Sequence, residues 1–364
     1  MSITFKSPLF NQLFMENQNG FRKIIKNEDM FDENYMPPKI HFRDSQIRVL
    51  QLCLESAVNG NRSIHAFIFG PSGTGKTLIA RSLLKELEEH SILGIYINCW
   101  EHQSLYSIID KIVNDFRILS VEKISSVYKI EKLEKYLNAR PFVIILDNID
   151  RLDPKDIDHI LYNLSDLTKT GLVCIGCSMR FLHKLDQRVR SRLNPKLIEC
   201  PAYLKKELMK ILKERAEYGL EEARWDERVL RKAINLANGD ARMAIQTLRN
   251  AATYAENAKA GKIEIKDLEK GWVDAAELKV NKVLENLNEH HGFIYEVIQE
   301  RKKIASGKLW EAYKDACKKR KIKPVPQRTF QYYRDELLYM GLICSKRLRI
   351  RGNVRLYSVN PKPI

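Results

Sequence analysis

Residues 64–77 read IHAFIFGPSGTGKT, and this stretch sets the architecture expected of the rest of the chain. The apolar run Ala66–Phe69 leads into a loop that matches the pattern G-x-x-x-x-G-K-[ST], and the helical pattern LIARSLLKELEEH follows. A strand, a glycine-rich loop and a helix in this order distinguish a phosphate-binding loop from a chance match. The stretch therefore predicts a binding site for a nucleoside triphosphate at the carboxyl end of a strand.

The residue types of the loop explain how it would hold phosphate. Its glycines permit positive φ, so the backbone can curl round an anion, and its N–H groups converge at a helix N-terminus. Lys76 is expected to reach the β- and γ-phosphates, and the Thr77 hydroxyl is expected to ligate Mg²⁺. We therefore predict that ATP or ADP contacts the whole loop, which consists of Gly70, Pro71, Ser72, Gly73, Thr74, Gly75, Lys76 and Thr77.

A second motif of the nucleotide site is the apolar run FVIIL, which ends in Asp147. An aspartate at the carboxyl end of a buried strand, beside a phosphate loop, is the Walker B pattern. Such an aspartate holds Mg²⁺ through the coordination shell of the ion. The alternative is a buried strand that happens to be followed by a turn aspartate. Because a phosphate loop precedes it, we predict that Thr77 and Asp147 together form the magnesium site.

The alternation of elements indicates an α/β fold. Apolar runs at 66–69, 94–99, 142–146, 172–177 and 196–199 are separated by helical patterns, which predicts a parallel sheet covered on both faces. After residue 200 four helical patterns follow up to about residue 276, which predicts a small all-helical lid. We therefore predict three domains: a nucleotide-binding base at 1–200, the lid at 201–277 and a third domain at 278–364.

The charge of the chain points to a polyanionic partner. The formal net charge is +16, and residues 279–364 contain 20 Lys or Arg against 8 Asp or Glu. Charge concentrated in one region favours nucleic acid as the partner, whereas the alternative is a solvated basic surface. No apolar run approaches the ~20 residues that span a bilayer, and the N-terminus lacks a signal-peptide pattern. We therefore expect a cytoplasmic protein without a membrane partner.

The seven cysteines do not form the pattern of a metal site or a disulfide framework. They are scattered and lie mostly inside apolar runs, so we expect them to be reduced core residues. The pair Cys174 and Cys177 lies in an apolar strand pattern with no second pair at zinc spacing.

The third domain has the pattern of a helix-turn-helix. Its helical patterns lie at about 282–301, 306–322 and 326–343, and in the last one Phe330, Tyr333, Leu337 and Met340 form one apolar face. The opposite face presents polar side chains near the helix N-terminus, where recognition helices meet base edges in the major groove. The predicted DNA-reading residues are Gln327, Arg328 and Gln331.

The segment SKRLRIRGNVRLYSV at 345–359 predicts a basic β-hairpin, with its turn at the Gly-Asn pair. If Ile350 shares the buried side with Leu356, the loop has three or five residues and the arginines project from one exposed side. Like charges side by side destabilise a free hairpin, and a phosphate backbone relieves this cost. We therefore predict that the hairpin binds DNA through Arg347, Arg349, Arg351 and Arg355, the alternative being a merely solvated basic hairpin. The cluster Glu289-His290-His291 is expected at the surface.

Several motifs together carry a resemblance to a known family. In chain order they are YMP at 35–37, RDSQ at 43–46, GPSGTGKT at 70–77, YINC at 96–99, LDNIDRL at 146–152, LDQRVRSRL at 185–193 and GDARMAI at 239–245. The ordered set resembles archaeal replication initiators of the origin-recognition (Orc/Cdc6) type, which are AAA+ ATPases with a C-terminal winged helix. The resemblance extends from about residue 29 to the end of the chain.

The resemblance implies further site residues and partners. Tyr35 and Arg43 belong to the lead-in, the segment before the phosphate loop, and are expected to contact the nucleotide. Arg242 matches the sensor-2 arginine that reaches from the lid to the γ-phosphate. Arg192, with Arg188 as the alternative, matches the arginine finger offered to a neighbouring subunit, although either could be an ordinary surface arginine. The implied partners are double-stranded origin DNA, paralogous initiator subunits and the replicative helicase, so the protein would be chromosome-associated.

The chain departs from the family pattern where water is positioned for hydrolysis. Asn148 stands where a glutamate usually follows Asp147, and Met179 stands where an asparagine usually ends the sensor-1 strand. Asparagine cannot accept a proton, and loss of a general base lowers turnover by about 10²–10⁴. We therefore expect a divergent member in which nucleotide is a conformational switch with slow or negligible hydrolysis, unless Asp150 substitutes. The catalytic candidates are Asp147, Asn148 and Arg192.

Two other functions fit the same motifs. An ATP-driven DNA remodeller or helicase-type motor can also join an AAA+ base to a winged helix, but it needs repeated hydrolysis. A winged-helix transcription regulator would use nucleotide as a structural ligand and would bind promoters. Residues 102–137 match the family poorly, and their role stays open.

Overall fold

The computed structural model of the chain describes residues 23–59, 61, 64–118, 126–138, 141–152, 156–167, 169–285, 287–347 and 354–360. They divide into two compact units. One is Ile25–Ile245, and the other is Gln246–Ile364 together with the segment that ends at Ile24. The Ile24 N–H donates to Glu256 Oε1 at 2.7 Å, which ties Ile24 to the second unit.

A five-stranded parallel sheet forms the centre of the first unit. Its strands are β1 (Ala66–Phe69), β2 (Leu93–Asn98), β3 (Phe142–Asp147), β4 (Thr170–Gly176) and β5 (Lys196–Glu199). Their order across the sheet is β2-β3-β4-β1-β5, and every neighbouring pair is parallel. The predicted parallel sheet is confirmed. The phosphate loop after β1 and the end of β3 lie at the same edge because all the strands run in one direction.

Helices cover both faces of this sheet. They are α1 (Asp44–Val58), α2 (Lys76–Glu89), α3 (Leu105–Asp115), α4 (Ser126–Asn138), α5 (Ile157–Asp166), α6 (Arg180–Lys184) and α7 (Gln187–Leu193). Two more helices, α8 (Lys205–Gly219) and α9 (Glu227–Ala237), follow β5 in the chain and do not belong to the two cores of the sheet. Alternate residues of β3 enter two separate cores, since successive side chains point to opposite faces. Ile144 packs with the α3–α5 side, whereas Ile145 packs with the α1–α2 side. A strand buried on both faces reads as a continuous apolar run, which is why FVIIL was recognisable.

Two further helices follow, α10 (Ala241–Asn257) and α11 (Ile265–Glu285). With α8 and α9 they match the four helical patterns predicted after residue 200. The predicted domain boundaries stay predictions, but the one at 277/278 falls inside α11. The helix predicted over 282–301 is divided, because Asn288 caps a new helix by accepting the His290 N–H at 3.0 Å. In the described ranges no helix combines the length and the low charge needed to cross a bilayer.

The remaining elements form a winged helix, as predicted. They are α12 (Glu289–Arg301), β6 (Ile304–Ala305), α13 (Ser306–Lys319), α14 (Gln327–Tyr339), β7 (Ile343–Arg347) and β8 (Arg355–Val359). The three strands pair antiparallel in the order β6-β8-β7. Their core contains Ile294, Leu309, Tyr313, Phe330 and Tyr357, contributed by all three helices and by β8.

The surface position expected for the histidine pair is wrong. His290 and His291 are 8% and 3% exposed. The Tyr313 hydroxyl lies 2.8 Å from His290 Nδ1, and Glu336 Oε2 lies 2.9 Å from His291 Nε2. Helix α12 is buried on most sides, so polar residues on it find partners in the core instead of marking a solvent face.

The cysteines follow the expectation in part. All seven are free, and five of them are buried. Cys177 and Cys344 are exposed instead. Cys177 lies just beyond the end of β4, where the chain leaves the sheet.

Candidate nucleotide site and nucleic-acid interface

The phosphate loop joins β1 to α2 in the conformation that its sequence predicts. Gly73 and Gly75 have φ values of +68° and +86°, which side-chain-bearing residues rarely adopt. Gly75 immediately precedes α2, so the free N–H groups of the first helical turn open into the loop. These groups and the helix dipole create a site for an anion.

Lys76 lies inside the loop. Its Nζ donates to the carbonyl oxygens of Gly70 at 2.8 Å and Pro71 at 2.6 Å. Burial lowers the pKa of Lys76 below its usual 10.5; the charge of Asp147 opposes this effect, and that of Arg242 adds to it. A partly desolvated cation attracts phosphate more strongly than a hydrated one.

The two predicted magnesium residues are in direct contact. The Thr77 hydroxyl donates to Asp147 Oδ2 at 2.6 Å, and Asp147 is buried, with only 2% of its surface exposed. A hydroxyl and a carboxylate at the phosphate loop are the oxygen donors that Mg²⁺ uses alongside substrate phosphates. The residues present therefore fit a magnesium site.

Tyr96 also contacts this carboxylate, which sequence reasoning missed. Its hydroxyl donates to the same Asp147 Oδ2 at 2.7 Å, and the Asn148 N–H donates to Oδ1 at 2.8 Å. Burial, and then the neighbouring Asp147, raise the pKa of Tyr96, so its hydroxyl stays a donor. In the sequence, Tyr96 is visible only as part of the motif YINC. Its position on a predicted strand, with a hydroxyl able to donate to a carboxylate such as Asp147, is the one feature that could have indicated this contact.

Asn148 is held at the edge of the sheet by another amide. Its backbone is left-handed, with φ 58° and ψ 44°, a conformation that asparagine tolerates better than most residues. The Asn148 Nδ2 donates to Asn98 Oδ1 at 3.1 Å, and Asn98 Nδ2 donates to Glu101 Oε1 at 2.8 Å. The residue after Asp147 therefore has an amide side chain that is already hydrogen-bonded and that cannot accept a proton.

Asp150 lies in the short turn Ile149–Arg151 that follows β3. Its Oδ2 is 3.9 Å from Arg151 Nε. Its Oδ1 is buried and has no hydrogen-bond partner within the described ranges of the chain.

The lead-in residues Arg43 and Tyr35 contact different parts of the first unit. Arg43 is 3% exposed, and its Nε and Nη2 donate to the carbonyls of Thr74 at 2.9 Å and Pro201 at 2.7 Å. Its guanidinium also stacks on the Tyr203 ring, 3.9 Å from the centroid. Arg43 therefore braces the backbone of the phosphate loop. The Tyr35 ring instead stacks with the guanidinium of Arg215 on α8, at 4.1 Å.

The turn before α10 lies directly on the phosphate loop. The Ala241 N–H donates to the Gly73 carbonyl at 3.1 Å, and a side chain at Gly73 would overlap the Asp240 carboxylate. Arg242, the predicted sensor-2 residue, is the second residue of α10, and its charge contributes to lowering the pKa of Lys76. The loop, Lys76 and Arg242 therefore share one site.

The predicted finger residue Arg192 is held against its own chain. It pairs with Asp166 on α5, and its guanidinium stacks on the Tyr162 ring at 4.5 Å. Arg188, on the same helix α7, is exposed.

The three predicted DNA-reading residues lie together on α14. Gln327, Arg328 and Gln331 are all exposed in its first turns, whereas Phe330 and Leu337 are buried. Tyr332 is exposed beside them, at 57%. The amphipathic pattern predicted for this helix is confirmed.

Two of the four predicted hairpin arginines, Arg347 and Arg355, are described and exposed, but the buried side of the hairpin differs from the prediction. Arg347 and Arg355 lie directly opposite each other on β7 and β8. The core side carries Tyr357, 1% exposed, whereas Leu356 is only half-buried. Arg355 and Tyr357 point to the same face of the hairpin. Tyr357 packs in the core, whereas Arg355 and the opposite Arg347 lie on the same face past the edge of the core, in solvent. Arg349, Arg351 and the predicted turn lie outside the described residues.

Comparison with known families identifies each part of the chain. An "AAA domain" model matches residues 62–185, and a "Cdc6 AAA+ ATPase-type lid domain" model matches residues 209–272. A "CDC6, C terminal winged helix domain" model matches residues 294–363. The AAA+ fold implies nucleotide binding, and the order of the three parts is the order predicted from the sequence.

Relatives that match over most of their length, and a solved structure, agree with these family models. The ORC1-type DNA replication protein of Thermococcus kodakarensis is 30% identical over 354 residues, covering 89% of this chain and 85% of the relative. ORC1-type DNA replication protein 1 of Sulfurisphaera tokodaii is 29% identical over 344 residues, with 89% and 86% covered. The structure of the Aeropyrum pernix ORC1 protein in complex with DNA superposes with a TM-score of 0.77 at 26% identity, covering 93% of this chain and 94% of that one. The chain therefore belongs to the ORC1-type (Orc/Cdc6) family of archaeal replication initiators.

Proposed function

We propose that this protein initiates DNA replication by binding duplex DNA at replication origins through its winged helix. Bound ATP or ADP acts as a conformational switch and is hydrolysed slowly or not at all. Paralogous initiator subunits and the replicative helicase are the protein partners, with Arg192 or Arg188 offered to a neighbouring initiator. The Aeropyrum pernix relative was solved in complex with DNA, which supports the choice of ligand.

The pair Arg347 and Arg355 is the observation that carries the DNA-binding part of the proposal. Two exposed arginines directly opposite each other repel in the free protein, and a DNA phosphate between them removes that repulsion. Phosphate contacts of this kind position a protein on the duplex but do not read sequence. Sequence would be read by Gln327, Arg328 and Gln331, which are exposed where a recognition helix meets bases.

The nucleotide part of the proposal rests on the contact between the phosphate loop and the turn before α10. Lys76 and Arg242 would bind the phosphates from the two sides, so the position of α10 would depend on which nucleotide is present. Mg²⁺, when bound through Thr77 and Asp147, would neutralise phosphate charge. Because Asn148 offers no proton acceptor, we expect hydrolysis about 10²–10⁴ slower than with a general base in that position.

Selection from genomic DNA tests the DNA-binding part. Sheared DNA from the source organism is incubated with the purified protein, and the retained fragments are sequenced. We expect enrichment at the few loci where replication starts, located independently from the maximum of gene copy number in growing cells. Enrichment at promoters instead would support the transcription regulator, and uniform retention would contradict sequence-specific binding.

Single-turnover hydrolysis tests the switch. Radiolabelled ATP is mixed with excess protein, with and without duplex DNA, and Lys76→Ala measures the background. We expect ATP to stay bound and largely intact. Rapid turnover that DNA stimulates and that Lys76→Ala abolishes would contradict the switch and would favour the ATP-driven motor.

A further inference from the structure

We infer that Tyr96 is a positioning residue for the magnesium-binding carboxylate Asp147, and that it strengthens the magnesium-dependent part of nucleotide binding. The inference rests on the proposed nucleotide site and adds a residue that neither of its two sequence motifs contains.

The geometry follows from the strand register. Tyr96 on β2 lies directly opposite Ile145 on β3, two residues before Asp147. Directly opposed residues share a face of the sheet, and an aromatic side chain can reach the diagonal neighbour on that face. This is the face that α2 covers, so Thr77, at the start of α2, approaches the same carboxylate.

The two hydroxyls act on one oxygen atom. Asp147 Oδ2 accepts from Thr77 at 2.6 Å and from Tyr96 at 2.7 Å, whereas Oδ1 accepts the Asn148 N–H at 2.8 Å. Thr77 is itself a predicted magnesium ligand, so its hydroxyl has two roles, one toward Asp147 and one toward the metal. Tyr96 donates to this carboxylate from the neighbouring strand and is not itself a predicted magnesium ligand. It therefore holds the orientation of Asp147 independently of the metal.

Tyr96 is itself held in place. The Arg81 guanidinium lies over its ring, 4.9 Å from the centroid, and Arg81 Nη1 donates to Asn34 Oδ1 at 2.9 Å. A chain of contacts thus connects the lead-in segment to Asp147 through Arg81 and Tyr96. Partners that orient a metal ligand in this way commonly change metal affinity by about 10–100-fold when they are removed.

A magnesium titration of nucleotide binding tests the inference. The affinity of the full chain for a fluorescent ADP analogue is measured in EDTA and across a range of Mg²⁺ concentrations. For Tyr96→Phe we expect unchanged affinity in EDTA and an about tenfold higher Mg²⁺ concentration at half-maximal enhancement. Arg81→Met should shift the titration in the same direction by a smaller factor, since it leaves the hydroxyl in place.

A matched variant separates this role from general stability. Tyr106, on α3, is 58% exposed, so Tyr106→Phe makes the same chemical change away from the site and should leave the titration unchanged. A normal magnesium response of Tyr96→Phe would overturn the inference, as would an equal loss of affinity with and without Mg²⁺. If the unaltered chain binds no nucleotide, the proposed nucleotide site itself fails, and the inference with it.

Discussion

Replacing Gly73 by alanine tests the contact between the phosphate loop and the turn before α10. Gly73 has φ +68°, and an alanine in this left-handed region costs about 1–2 kcal/mol. The added Cβ would also overlap the Asp240 carboxylate, which must then rotate away. Asp240 Oδ1 accepts the Met243 N–H at 3.0 Å as the cap of α10, and losing a cap costs about 1 kcal/mol.

Together these effects lower the free energy of unfolding by about 2–3 kcal/mol, or about 5–10 °C in Tm for a unit of this size. The assay is calorimetric unfolding in nucleotide-free buffer. Asp240→Ala alone removes the cap, so it should cost at least about 1 kcal/mol. In the double variant the cap is lost only once, so its cost should fall short of the sum of the single costs by about 1 kcal/mol.

Gly292 provides the matched control. It lies within α12, and an added Cβ there meets nothing within 4 Å, so Gly292→Ala should stabilise the protein by about 0.5–1 kcal/mol. Additive costs of Gly73→Ala and Asp240→Ala would refute the proposed overlap. An unchanged Tm for Gly73→Ala would refute both the overlap and the backbone strain.

Three further predictions test separate parts of the molecule. Combining Arg347→Ala and Arg355→Ala should weaken binding to every duplex and should reduce the slope of log affinity against log salt by about 1.8, measured by anisotropy. Arg231→Ala on α9 removes an exposed arginine elsewhere, so an equal effect from it would argue against the hairpin. Asn148→Glu restores a proton acceptor and should raise single-turnover hydrolysis by about 10²-fold; an unchanged rate would mean that no water is positioned there. Arg43→Ala leaves the carbonyls that it bridges unpaired and should destabilise the protein by about 3 kcal/mol in calorimetry while weakening ADP binding. Loss of stability without weaker ADP binding would limit Arg43 to a structural role.

Local patterns in the sequence were sufficient for the architecture. The apolar runs that became β1 and β3, the glycine-rich loop between strand and helix, and the 3.6-residue period of α14 depend on neighbours in the chain. The same holds for Thr77 and Asp147, because parallel strands bring their carboxyl ends to one edge. Strand order and direction follow from general rules of α/β folds, so this meeting point was predictable without coordinates.

Other features depend on register and on the extent of the core, which local patterns do not encode. The hydrogen bond from Tyr96 to Asp147 requires β2 to pair with β3 so that Tyr96 lies opposite Ile145. Alternation in the hairpin identified two faces, but only the packing of Tyr357 shows which face meets the core.

His290 and His291 show the same division between sequence and structure. Their burial became visible only with their partners Tyr313 and Glu336, which lie 23 and 45 residues away in the chain. The sequence by itself therefore determined the elements, their order and the residues that meet at strand ends. The tertiary structure alone decided which polar side chains are paired across elements, because that pairing depends on distances between segments remote in sequence.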